Sequence, residues 1–214
     1  MKKSILFLIL FLTVCPLFSQ IKSDLKLNLG ATFALYTFDS DTQNFDINYT
    51  PQIGFRLGID YSFYKNEKLE IETGFTTSLL RTKVDDPQLG LDIKYTTWYL
   101  GTHIIANYEI VSNVFYIGAG PYLDFGLSGE QVSASGNSGD LFSGKNGQDA
   151  PLKRLNYGLA AKASYIASFT PLLNDIYVSY RLGIANIEGK DSTTQTFKAS
   201  MISIGVRANL DNLF

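Results

Sequence analysis

The chain has 214 residues, 45% of them hydrophobic, with a single cysteine and a formal net charge of -2. That length suits one compact domain rather than several. No cluster of Lys and Arg supplies the electrostatic footprint that nucleic-acid binding needs, which sets nucleic acid aside as a partner.

Lys2 and Lys3 precede an apolar run from Ile5 to Leu12 and a weaker stretch to Ser19. This is the pattern of a secretory signal peptide over residues 1–19, leaving 20–214 as one mature domain. Thr13, Cys15 and Pro16 interrupt the run before it reaches the roughly 18 apolar residues of a membrane helix. Cys15 leaves with the signal, and a mature chain without thiols suits an oxidising compartment. A lipoprotein signal with Cys15 lipidated is the alternative, but Val14 stands where a small residue is expected.

From Leu25 onward apolar and polar residues alternate with period two, and no stretch sustains a helical period, so the chain reads as all-β. The first strand sets Leu25, Leu27, Leu29, Ala31, Phe33 and Leu35 against Lys26, Asn28, Gly30 and Thr32. The second sets Ile53, Phe55, Leu57, Ile59, Tyr61 and Phe63 against Gly54, Arg56, Gly58 and Asp60. The third sets Leu69, Ile71, Phe75 and Leu79 against Glu70, Glu72, Gly74 and Thr76. In the fourth, Trp98, Leu100, Ile104, Ala106 and Tyr108 oppose Tyr99, Gly101, His103 and Asn107, with Ile105 breaking the alternation. The fifth alternates Phe115, Ile117, Ala119, Pro121, Leu123 and Phe125 with Tyr116, Gly118, Gly120, Tyr122 and Asp124. Strands around Tyr157–Tyr165, Ile176–Ile184 and Ile202–Leu210 complete eight, with Lys162, Arg181 and Arg207 among their polar residues.

Short turns are expected at residues 65–68 and 109–113, a longer one at 167–175, and long loops at 37–50, 81–92, 128–154 and 186–196. Alternating short and long connections are the habit of outer-membrane barrels, whose turns face the periplasm and whose loops face outside. An even strand count then puts both termini in the periplasm.

Glycine separates a membrane barrel from a soluble one. Gly30, Gly54, Gly58, Gly74, Gly101, Gly118, Gly120, Gly126, Gly158, Gly183 and Gly205 all fall on the polar face. A solvated surface has no need of them, whereas a narrow lumen needs gaps beside long side chains. Aromatic residues near strand ends on the apolar face form two interfacial girdles. A β-sandwich core rich in aromatics is the competing reading, and Pro121 in mid-strand fits neither easily. The expectation is therefore an eight-stranded antiparallel transmembrane β-barrel in the outer membrane, facing outer-membrane lipid.

Tyr99-Leu100 with Ile104-Ile105-Ala106-Asn107-Tyr108, then Gly118-Ala119-Gly120-Pro121-Tyr122, then Tyr180-Arg181-Leu182-Gly183-Ile184-Ala185-Asn186, resemble strands of the small outer-membrane β-barrel domain proteins often labelled PorT-like. The similarity runs over the whole mature chain, although Gly101-Thr102-His103 replaces the family's usual Glu-Ile-Pro. The last strand, Ser203 to Leu210, resembles a weak form of the signal read by barrel-assembly machinery, with Ala208 and Leu210 where aromatics are common. The resemblance implies fold and location, and envelope or secretion proteins as partners; fold does not carry activity.

Arg56, Asp60, Glu70, Glu72, His103, Lys162, Arg181 and Arg207 all lie on the polar face and are mixed in sign. In a lumen that eight strands leave room only to fill with side chains, they read as a structural salt-bridge network. A solute or proton path through the same residues is the alternative. His103, the one histidine, has no serine tied to it by spacing, so no catalytic set, metal site or cofactor is expected. The Gly/Ser-rich loop 128–154 reads as mobile and solvated, the other possibility being a calcium site through Asp140 and Asp149. The functional expectation is a monomeric, non-enzymatic envelope protein, a structural anchor or accessory of a secretion assembly. A small-solute channel comes next, and a lipid-modifying enzyme after it.

Overall fold

A computed structural model describes residues 24–40, 48–86, 91–144, 150–167, 173–189 and 195–210. The signal-peptide segment and Asp149 lie outside the described residues. Strands are β1 (Asp24–Ser40), β2 (Asn48–Lys65), β3 (Leu69–Asp86), β4 (Leu91–Val111), β5 (Phe115–Ser133), the short β6 (Ser138–Asp140), β7 (Leu155–Ile166), β8 (Leu173–Gly183) and β9 (Gln195–Asn209). Every pairing is antiparallel, and the order β4-β3-β2-β1-β9-β8-β7-β5 closes through β4–β5 into a ring of eight strands; β6 folds back on β5.

Closure assigns the two faces. The polar face turns inward: Asn28, Thr32, Arg56, Asp60, Glu72, His103, Lys162, Arg181 and Arg207 are buried. The apolar face turns outward, with Leu29, Leu57, Phe75, Ile104, Leu123, Leu159, Val178 and Ile204 all exposed. A soluble barrel or sandwich has the opposite arrangement, so the exposed belt is the surface that meets lipid.

Two local departures have physical reasons. Ile105 does not break β4; it is buried in the lumen beside Tyr122 and Ala160, in the same parity as His103 and Asn107. Pro121 lies opposite the gap in the β4–β5 ladder between the pairs His103–Tyr122 and Ala106–Ala119, as expected where a donor is missing, while its pairing with Leu159 of β7 is kept.

The long connections are shorter than the sequence suggests, because the strands run beyond the lipid belt. β3 continues to Asp86 and β4 begins at Leu91, so most of the expected loop 81–92 is hairpin. Past residue 79 the pattern of β3 reverses: Leu80, Thr82 and Val84 are buried, while Arg81 is exposed. Outside the membrane the outer wall faces water and the interior needs an apolar core. That core joins Ala34, Tyr36, Leu80, Tyr99, Phe197, Ala199 and Met201 from the walls with Leu141, Phe142 and Leu152 from the β6–β7 connection. The expectation of a solvated loop at 128–154 is corrected accordingly. β5 runs to Ser133, β6 pairs with it, and the segment after β6 inserts into the mouth of the barrel.

Candidate functional site

The lumen has two storeys. The lower one, toward the short turns, holds five cations, Lys26, Arg56, Lys162, Arg181 and Arg207, and five carboxylates, Asp60, Glu70, Glu72, Asp124 and Asp175. Unpaired, any of these buried charges would carry a large desolvation penalty.

Glu72, on β3, is the hub. It has no exposed surface and takes Lys162 Nζ on one oxygen and Arg207 Nη1, at 3.0 Å, on the other. Arg207 also donates from Nε to Asp175 Oδ1 at 2.7 Å and from Nη2 to Ser164 Oγ at 3.1 Å. Thus β3, β7, β8 and β9 are cross-braced through one guanidinium. On the other side Arg181 Nη1 meets Asp124 Oδ1 at 2.5 Å, and its guanidinium carbon lies 5.0 Å from the centre of the Tyr122 ring. Lys26 and Glu70 pair at the turn end, where Ser62 also donates to Glu70.

His103 sits between these groups. Arg181 can only donate, so His103 Nδ1, 3.4 Å from Arg181 Nη2, is the acceptor and Nε2 carries the proton. That Nε2 lies 3.3 Å from Asp60 Oδ1, but Oδ1 makes no directional hydrogen bond. Arg56 projects toward the same region, and its Nε makes no hydrogen bond to protein. Glycines supply the space: a Cβ on Gly74 would strike the Asp60 carboxylate, and one on Gly101 the Asp124 carboxylate.

The upper storey is an apolar stopper. Phe142 lies against Gly126 and Gly129, where a Cβ would collide with its ring, and packs edge-on to Tyr99 at 6.0 Å. Arg154 covers the ring from outside at 5.3 Å and donates to the carbonyls of Gly126 and Leu127. The backbone of the segment is tied down by Leu141 N to Gly129 O at 2.9 Å and Leu152 N to Leu141 O at 2.8 Å. Asp140 does not face a cation site; its carboxylate accepts from Phe142 N at 2.7 Å. Stacked Tyr36 and Phe197, 5.2 Å apart, close the other side of the mouth.

All eight charged or titratable residues singled out from the sequence therefore line one lumen, and most touch one another. Asp175, within the turn expected at 167–175, belongs instead to β8 and is buried in the parity of Tyr177, Ser179 and Arg181. Asp60, Glu72 and His103 also bring three potential metal-ligand atoms within 4.8 Å of one another. Glu72 is already engaged by two cations, and Arg181 faces the remaining histidine nitrogen, which fits poorly with a metal ion.

A family model described as "Outer membrane protein beta-barrel domain" matches residues 18–189. Among solved structures, neisserial surface protein A is similar, with a TM-score of 0.50 at 16% identity over 88% of this chain and 99% of that one. The attachment invasion locus protein Ail of Yersinia pestis, solved with the heparin analogue sucrose octasulfate, gives 0.44 at 15% over 87% and 99%. OprG of Pseudomonas aeruginosa gives 0.45 at 14% over 86% and 94%. No curated protein matches the chain.

Proposed function

The chain belongs to the outer-membrane protein β-barrel domain family, and from that premise we propose that it is a closed, non-enzymatic envelope protein serving as a structural anchor or accessory of an envelope or secretion assembly. The observation that carries this reading is the double closure of the lumen, by paired charges below and by Leu141 and Phe142 above. A barrel sealed in this way offers partners its rim and its strand extensions, not its interior. The polar outer wall, where Lys83 pairs with Asp85 and Asp92, is the surface for such contacts.

The PorT-like motifs favour a secretion or envelope partner, and the barrel-assembly machinery as the route of insertion. Both termini are assigned to the periplasmic side, the barrel to a monomer. An enzymatic role would need His103, which is 3% exposed and held between Asp60 and Arg181 away from both lipid and bulk solvent. Conduction of a small solute would require the network and the stopper both to move.

Crosslinking in intact envelopes followed by affinity purification of the tagged barrel tests the proposal. A reproducible envelope partner, lost when the exposed outer-wall charges are exchanged, is expected. Recovery of the barrel alone, with acyl-transfer or hydrolase activity in the purified protein, would overturn it.

A further inference from the structure

The lower storey encloses a small cavity bordered by Asn28, Arg56, Asp60, Tyr177 and Ser179. Its volume of about 10 Å³ is what the centre of one water-sized occupant needs. Each of the five side chains is at most 5% exposed. Each also carries a polar atom without a hydrogen-bond partner in the protein: Asn28 Oδ1, Arg56 Nε, Asp60 Oδ1, Tyr177 OH and Ser179 Oγ. Orphaned polar atoms are uncommon in folded interiors, and five of them around one cavity point to a shared partner.

We infer that this cavity is a binding site for a single structural water molecule. The chemistry of the lining separates water from an ion. Arg56 Nε can only donate, the Asp60 carboxylate oxygen and Asn28 Oδ1 can only accept, and the two hydroxyls can do either. Water, with two donors and two acceptors, answers both kinds at once. An anion would face the Asp60 carboxylate and Asn28 Oδ1. A metal cation would face the Arg56 N–H, with Lys162 and Arg207 already on Glu72. A flip of the Asn28 amide exchanges an acceptor for a donor and leaves the lining mixed.

Such a water takes up to four of these five atoms as partners. It gives Arg56 a hydrogen-bonded path to Asp60 and links β1, β2 and β8 through the centre of the lumen. The inference rests on the lumen lining and not on the anchor role, and it would hold in a conducting barrel too.

The test is a high-resolution crystal structure of the detergent-extracted barrel, with parallel bromide and manganese soaks. Expected is one density peak within hydrogen-bonding distance of Arg56 Nε and Asp60 Oδ1, with no anomalous signal in either soak. A bromide or manganese signal there, or no density, would overturn the inference. In solution, oxygen-17 relaxation dispersion counts long-lived internal waters. Asn28→Leu removes an acceptor and fills the space, so the count should fall by one. An unchanged count in a folded N28L barrel would also overturn it; should N28L not fold, the crystal measurement on the unmodified protein decides.

Discussion

Glu72 shows how the position of a charge sets its energetic weight. It is fully buried and holds two cations, so Glu72→Ala would strand Lys162 while Arg207 keeps Asp175. Removing one partner of a buried pair costs about 3 to 5 kcal/mol. Asp85→Ala, in the outer-wall pair with Lys83 whose side chains are 38% and 30% exposed, should cost nearer to the 0 to 1 kcal/mol of a solvent-exposed pair. Urea-driven equilibrium unfolding in lipid vesicles measures both, and equal losses would contradict the hub assigned to Glu72. Phe142 belongs to the same scale. Its ring occupies the space that Gly126 and Gly129 leave open, and Phe142→Ala should cost about 3 to 5 kcal/mol if the mouth cannot collapse around the gap. A loss below about 1 kcal/mol, the range of ordinary surface changes, would mean that the segment after β6 is not seated.

At the scale of the strand, register decides everything, because a shift of one residue exchanges lipid face for lumen. Leu57 and Ile204 are 41% and 47% exposed in the lipid belt. Leu57→Arg or Ile204→Arg should therefore cost about 2 to 4 kcal/mol, depending on depth. Arg81→Leu, on the outer wall of β3 beyond the belt, should stay within about 0.5 kcal/mol. Assembly assayed by heat-modifiable mobility in detergent gels distinguishes them, and equal tolerance would mean that the belt is misplaced. Period two, with the glycines that mark the polar face as the inner one, locates eight strands and the lining of the lumen. It stopped short at the strand ends for a reason visible in β3, where Leu80 and Val84 point in and Arg81 points out. There the membrane rule gives way to the soluble one, and the reversal reads as a loop. The Leu141-Phe142 pair, alone in a Gly/Ser-rich stretch, carries no period by which its burial could be read.

For the molecule as a whole, the charged residues of the lumen were legible but their partners were not. Lys162 and Glu72 are 90 residues apart, and which cation meets which carboxylate depends on barrel closure and stagger. The stopper arises only once β5, β6 and the mouth of the ring are in place. Two independent closures imply that opening requires both to fail. Arg56→Ala with Arg181→Ala should give rare, brief openings, because the apolar stopper stays. Deleting residues 141–152 should likewise leave the charge network blocking flow. Combining the two should give steady current. The most direct test of a closed lumen is single-channel recording of the unmodified, folded barrel in planar bilayers. The structure predicts no stable step of porin-like conductance, and a steady, large, ohmic current from the unmodified protein would contradict it.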